Sequence, residues 1–249
     1  MAIGTPTLLT AGNDTSNSVA SYSTASITPT ANEVVVLYVH LNIGSGTAGT
    51  ITPTHPSITF SSAVKSRLFN GTLRRIEMFT GVASSSPSAS AITLTPSSAT
   101  QTGCSWVVQQ WTGVDTTAPV VQSNSGSGTS TTMSTTLSAF ASGNNATAAG
   151  YAQDGSVTFT AGTNFTHLGN TSVATPTVRL AGAYYLGQDT TPDATSTASS
   201  TFGFIAAELN AAATTLTLNA SGSELAVASG TATYSGAFNA FRGLVLKWP

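Results

Sequence analysis

The run Val34-Val35-Val36-Leu37-Tyr38-Val39 contains no polar residue, and four of its six side chains branch at Cβ. Branching at Cβ costs rotamer freedom in a helix and suits the pleated surface of a sheet. Six apolar residues make a strand's length, and a strand without polar alternation must be covered on both faces. The sequence therefore predicts a central strand over Glu33–Leu41 with protein above and below it. Further strands are expected at Arg74–Val82, Ala91–Thr95, Cys104–Thr112, Thr131–Ala139, Ala146–Ala152, Val178–Leu186 and Gly243–Trp248. Between them lie clusters of Ser, Thr, Gly, Pro and Asn at short spacing, the mark of an all-β sandwich or barrel. Phe202–Ala213 reads either way: Phe204-Ile205-Ala206-Ala207-Glu208-Leu209 fits a sheet and the following alanines favour helix. Strand is the preferred reading. The fold class expected is an all-β, antiparallel β-sandwich with little or no helix.

Gly44–Pro56, Ser84–Ser90 and Asn124–Ser130 read as loops, none long enough for an interdomain linker. The polar stretch Met1–Ser23 has no strong period. It is expected as an N-terminal arm (1–23), loose in a monomer and able to lie across a neighbour in an assembly. Residues 24–249 are expected as one sandwich domain, with 210–249 adding terminal strands.

Charge limits the partners. Lys plus Arg is 7 and Asp plus Glu is 9, so charged residues are 6% of the 249-residue chain, against about 25% in an ordinary soluble domain. A net charge of −2 without a Lys/Arg cluster gives no basic footprint for nucleic acid. Coiled coils need far more Glu, Lys and Leu. No stretch approaches the ~20 apolar residues of a membrane helix, so neither nucleic acid nor membrane is expected as a partner. Met1-Ala2-Ile3-Gly4-Thr5-Pro6 carries neither a basic nor an apolar leader segment, and synthesis and use without export are expected. The single cysteine, Cys104, can form no internal disulfide or cysteine zinc cluster and reads as a small buried hydrophobe.

One short pattern recurs at Phe79–Pro87, Trp111–Pro119 and Tyr185–Pro192: an aromatic, Gly two residues on, Asp or hydroxyl residues, then Pro. As a strand exit, Gly would take a positive φ, Asp or the hydroxyls would close the turn on nearby amides, and Pro would end the ladder. A calcium site on Asp115 and Asp189 is the functional alternative. Two carboxylates on separate turns carry too little charge for a dedicated site, and Ala83 stands in the first copy where the others have Asp.

Catalytic constellations are not legible. Ser is too abundant for any one to stand out as a nucleophile, and no Gly-x-Ser-x-Gly elbow occurs. His40, His55 and His167 are scattered, and the four Glu and five Asp occur singly rather than as a pair suited to glycoside hydrolysis. Glu77 or Glu208 is expected to pair with Arg74, Arg75 or Arg179 inside the fold. The Gly-rich Gly126-Ser127-Gly128 lacks the Lys and helix of a phosphate loop. The reading is a non-enzyme without a cofactor.

The order of segments resembles a diffuse group of phage and prophage virion structural proteins with a concanavalin-like jelly roll, over roughly residues 25 to 210. The segments are an apolar strand near Val34–Val39, Arg74–Pro87, Trp106–Pro119, Phe159–Thr166, Tyr185–Pro192 and Gly203–Leu209. That resemblance implies a virion protein without catalytic activity, a head decoration, head fibre or tail-associated component. Its partners would be other virion proteins and further copies of itself. The alternative is a carbohydrate- or receptor-binding sandwich, a tail adhesin or bacterial surface protein. Trp106, Trp111, Tyr184 and Tyr185 would then stack on sugar rings of a host surface glycan. Strand alternation sends about half of such side chains to the core, so packing is the competing use of each.

Overall fold

The computed structural model describes residues 2–98, 100–174 and 177–213; the expected strand Gly243–Trp248 and nearly all of 210–249 lie outside them. The described residues form strands and no helix. The first half of the chain supplies β1 (Thr7–Asp14), β2 (Tyr22–Ser23), β3 (Val34–Ile43), β4 (Ile51–Thr54), β5 (Ile58–Phe60), β6 (Lys65–Phe69), β7 (Arg74–Ala83), β8 (Thr93–Pro96) and β9 (Gln101–Trp111). The second half supplies β10 (Val120–Ser134), β11 (Ala146–Asp154), β12 (Phe159–Ala161), β13 (Thr166–Ala174), β14 (Thr177–Tyr185) and β15 (Asp193–Leu209). All pairings between strands are antiparallel. One large sheet runs β1-β9-β3-β7-β5, with β6 also on β7; a second runs β10-β15-β11-β14-β13, with β12 on β15; β2-β8-β4 form a small sheet. The chain is an antiparallel β-sandwich.

Every residue of β3 is buried, as its apolar run demands. Val35, Leu37, Val39 and Leu41 face the small sheet, where they meet Tyr22, Ile92 and Leu94. Val34, Val36 and Tyr38 face the second large sheet, among Ala148, Leu180 and Ile205. The first large sheet is thus the inner layer of a stack.

The two halves repeat one plan. Across the first large sheet one register row reads Gly12, Trp106, Val39, Glu77; across the second the matching row reads Gly126, Phe204, Tyr151, Ala181. The small sheet has its counterpart too. The β10–β15 register jumps from Ser130↔Ser200 to Thr132↔Thr195, a bulge that folds the start of β15 over the outer face of the second large sheet. There Met133 and Ala161 both pair with Ala194, as Tyr22 and Pro53 both pair with Leu94. Met133 and Ala194 then cover Tyr151 and Phe204. Few residues coincide between the copies, so the duplication does not show as sequence similarity.

The halves meet through a knob and a notch. Gly150 and Gly182 are register partners on β11 and β14; a Cβ on Gly150 would run into the ring of Tyr38, and one on Gly182 would meet Gln109 Nε2 at 2.7 Å, Val107 at 3.0 Å and the Tyr38 ring at 3.2 Å. Nearby, a Cβ on Gly203 would come 2.7 Å from the Phe69 ring and 2.8 Å from Ile76. The Tyr38 hydroxyl is buried without a hydrogen-bond partner, so packing of the ring, not the phenol's polarity, holds the contact.

Several expectations are corrected. The segment 1–23 is not wholly a loose arm: β1 is the edge strand on β9, which main-chain bonding achieves without an apolar period. Asn124–Ser130 lies within β10 rather than in a loop, because its small residues sit beside large rings: a Cβ on Gly128 would be 3.3 Å from the Phe202 ring. Gly44–Pro56 contains β4, an edge strand of the small sheet, where proline is tolerated. The Thr131–Ala139 strand stops at Ser134, whereas the preferred strand reading of Phe202–Ala213 holds as far as Leu209. Among the three recurring turns only Gly113 has a positive φ, at 73°. Gly81 lies inside β7, where a Cβ would meet Ile58 at 2.6 Å and Phe60 at 2.8 Å, and Gly187 lies under the Tyr185 ring.

Replacing Gly150 with Ala is expected to destabilise the chain by about 1–3 kcal/mol, the usual cost of overpacking. In urea unfolding the loss should shrink when Tyr38→Ala is combined with it, since the two sites are in contact. Tyr38→Phe, which removes an unpaired hydroxyl, should be at least as stable as the parent.

Candidate functional site

The four aromatic candidates do not form one platform. Trp106 and Trp111 are buried on opposite faces of β9, in the cores on either side of the first large sheet. Tyr184 packs edge-on against Trp111 with ring centroids 6.0 Å apart. Tyr185 points elsewhere, packing at 5.9 Å on Phe165 and lining an open polar cleft of about 570 Å³.

Three segments build that cleft. Thr132 and Ser134 end β10 and Thr135 and Thr136 follow it, Thr163 and Asn164 follow β12, and Tyr185, Gln188, Asp189, Thr191 and Asp193 run from the end of β14 into β15. Asn164 sits at φ 67°, a left-handed conformation that Asn tolerates better than most residues. Backbone bonds strap the walls: Thr135 N–H donates to Pro192 O at 3.2 Å, and Gly162 N–H to Asp193 O at 3.1 Å. Gln188 Nε2 donates to Ser142 O at 2.8 Å, and the Thr147 hydroxyl donates to Gly187 O at 2.9 Å. Asp189 and Tyr185 share one stretch of sequence, whereas Asp193, Asn164 and the β10 threonines are missed by sequence reading. Only the fold-over of β15 brings them there.

The two calcium candidates lie apart on separate turns, and each closes its own turn. Asp115 Oδ1 accepts from the backbone N–H groups of Thr117 at 2.8 Å and Ala118 at 3.1 Å. Asp189 Oδ1 accepts from Thr191 N–H at 2.8 Å. Among the described residues no three His, Cys, Asp or Glu side chains gather in a way that could hold a metal ion.

The remaining titratable groups are built into the fold. Arg74 Nε is 3.0 Å from Asp154 Oδ1, and Asp154 also accepts from Thr201 Oγ1 at 2.8 Å and from Asn70. Glu77 accepts from Ile51 N–H at 2.7 Å and lies 4.0 Å from Arg75; burial raises its pKa. Of the two glutamates expected to pair with an arginine, Glu77 does so with Arg75, and Glu208 is held by neutral donors: Asn145 Nδ2 at 2.6 Å, Gln122 Nε2 at 2.7 Å and Ala141 N–H at 2.9 Å. Three N–H donors can satisfy a buried carboxylate without a cation.

The histidines have separate partners. His40 lies 3.3 Å from Ser105 Oγ; burial, and next the Arg74 charge, push its pKa down to about 3. His55 Nδ1 accepts from Ser57 N–H at 3.0 Å, so Nε2 carries the proton and donates to Ser90 O at 3.2 Å. His167 bonds the Tyr151 hydroxyl. Burial lowers the pKa of these two as well. Cys104 is a buried free thiol. Among the described residues no helix is long and apolar enough to cross a membrane. Comparison with protein families, with curated proteins and with solved structures found no match.

Because Asp115 and Asp189 are committed to their turns, millimolar calcium is expected to leave the melting midpoint unchanged; a rise would mark binding to the folded state. Stability should fall as pH drops from 7 to 5. Below the ordinary histidine pKa of 6.5 the unfolded chain takes up protons that buried His40 refuses until about pH 3, with a limiting slope of roughly 1.4 kcal/mol per pH unit per proton. The raised carboxyls of Glu33 and Glu77 oppose this at the acid end. Urea titrations at the two pH values, with a smaller difference in His40→Gln, would check it.

Proposed function

We propose that the chain is a non-enzymatic structural protein of a phage virion, a head decoration, head fibre or tail-associated component. It works through contacts with other virion proteins and with further copies of itself. The observation that carries this reading is where the scarce charges go. Arg74, Glu77 and Glu208 are buried, so a chain with 6% charged residues spends part of that allotment inside. Among the described residues the exposed positions are mostly Ser and Thr, and none is Asp, Glu, Lys or Arg. A monomer that must stay apart from its neighbours normally carries a charged surface. A neutral one suits burial against protein neighbours in a lattice, where desolvating charge would be costly. Among the described residues Leu8, Val121 and Leu186, each 43–44% exposed, are the large hydrophobics left outside.

The resemblance to virion structural proteins supports the same reading and adds the compartment: assembly in the host cytoplasm and residence in the particle. Closed symmetric assemblies are the common outcome for such contacts. Mass spectrometry of purified particles should find this chain at a copy number matching a lattice or a symmetric fibre, and sedimentation of the isolated chain should show an oligomer. Absence from particles would overturn the proposal.

A further inference from the structure

The duplication allows the cleft beside Tyr185 to be compared with its counterpart in the same chain. Thr54 pairs with Thr93 at the rim of the small sheet, and Gly162 bonds Asp193 at the matching place in the second half. His55 therefore stands where Thr163 does, and Pro56 where Asn164 does. In the first half the imidazole fills the gap, tied to Ser57 N–H on one side and to Ser90 O on the other. The hydroxyls of Ser57 and Ser88 close the rest at 3.2 Å. In the second half Thr163 is too short to bridge, and the space remains open. One plan thus yields a plugged rim and an open cleft, and the difference lies in side chains rather than in strand order.

The open cleft has a definite chemistry. Among the described residues no Lys or Arg lines it, while Asp189 and Asp193 do, so phosphate, sulfate and carboxylate ligands meet like charge. Asn164 and the threonine hydroxyls both donate and accept. Tyr185 supplies an aromatic surface beside these polar groups, held by Phe165 and by the missing Cβ of Gly187. The volume, about 570 Å³, falls in the range of roughly 300–1,000 Å³ typical of small-molecule sites. A cation would have only two carboxylates, one of them already closing its own turn through Oδ1. A polyhydroxylated neutral ring matches every group present: its C–H face packs on Tyr185, its hydroxyls donate to Asp193, and Asn164 both donates and accepts.

We infer that the cleft formed by Tyr185, Asn164, Asp189 and Asp193 binds a neutral saccharide, and that His55 closes the equivalent place in the first half. The inference does not depend on the chain's location in a particle, so the isolated full chain tests it. The probe is an array of neutral hexoses, N-acetylhexosamines and their oligomers, with sialylated and sulfated glycans as controls, followed by calorimetry on the best binder. Binding of a neutral glycan is expected, at least tenfold weaker in Tyr185→Ala and retained within about threefold in Tyr185→Phe. Thr163→His, which puts an imidazole into the cleft, should abolish it while leaving the melting midpoint near the parent's. Three results would overturn the inference: no neutral glycan bound, binding indifferent to both Tyr185→Ala and Thr163→His, or acidic glycans bound as well as neutral ones. A calcium-induced rise in midpoint lost in Asp193→Asn would assign the cleft to a cation instead.

Discussion

The ring of Tyr38 seated in the Gly150–Gly182 notch sets the spacing between the two large sheets, and most of the architecture depends on that spacing. Face-to-face sheets ordinarily lie about 10 Å apart with interdigitating side chains. Here the first sheet presents Val34, Val36 and Tyr38, and the second answers with Ala146, Ala148, Ala152 and two glycines. Small residues lie under the Tyr38 ring, and Leu180, Ile205 and Leu209 interdigitate around it. This explains why β11 and β14 are rich in Ala and Gly although they lie at the centre of a sheet, where such residues are poor strand formers. Their contribution is room.

The small sheet β2-β8-β4 and the fold-over of β15 then close the outer faces in the same way for each half. Both closures place an aromatic at a matched register position, Trp106 in one and Phe204 in the other, with a glycine as its cross-strand neighbour. A Cβ on Gly12 would come 3.0 Å from the Trp106 ring. Charge is fitted into this frame sparingly. Arg74 answers Asp154, while Glu208 is surrounded by amide donors. A buried carboxylate satisfied by neutral donors fixes three segments, around Gln122, Ala141 and Asn145, without a second desolvated ion. What separates the halves at the cleft is side chains: His55, Pro56, Gly81 and Thr93 stand where the second half has Thr163, Asn164, Tyr185 and Asp193.

The apolar run of β3 announced its own double burial, and the alternation of strand-forming segments with turn clusters announced an all-β chain. Cys104 is buried as its neighbours suggested. Trp106 and Trp111 could not be assigned from spacing as core or platform. They are five residues apart and so face opposite ways, and both faces of β9 turn out to be covered. β1 and the Ser/Gly stretch of β10 were illegible for a different reason. An edge strand is held by main-chain bonds, and its composition needs no apolar period. Half of the cleft was visible as the Tyr185–Pro192 turn. The other half, Asn164 and the end of β10, lies far earlier in the chain and is brought beside it by the bulge at Ser130/Thr132 and the pairing of β12 with β15.

By itself, then, the sequence determined strand content, the burial of β3 and a weakly charged exterior, because these follow from residue type and local period. Tertiary structure alone decided that two copies of one sandwich stack on each other, which aromatics are spent in cores and which one reaches a cleft. Those outcomes depend on register across strands distant in the chain and on where a missing Cβ lets one sheet approach another, and neither quantity is a property of any local stretch of sequence.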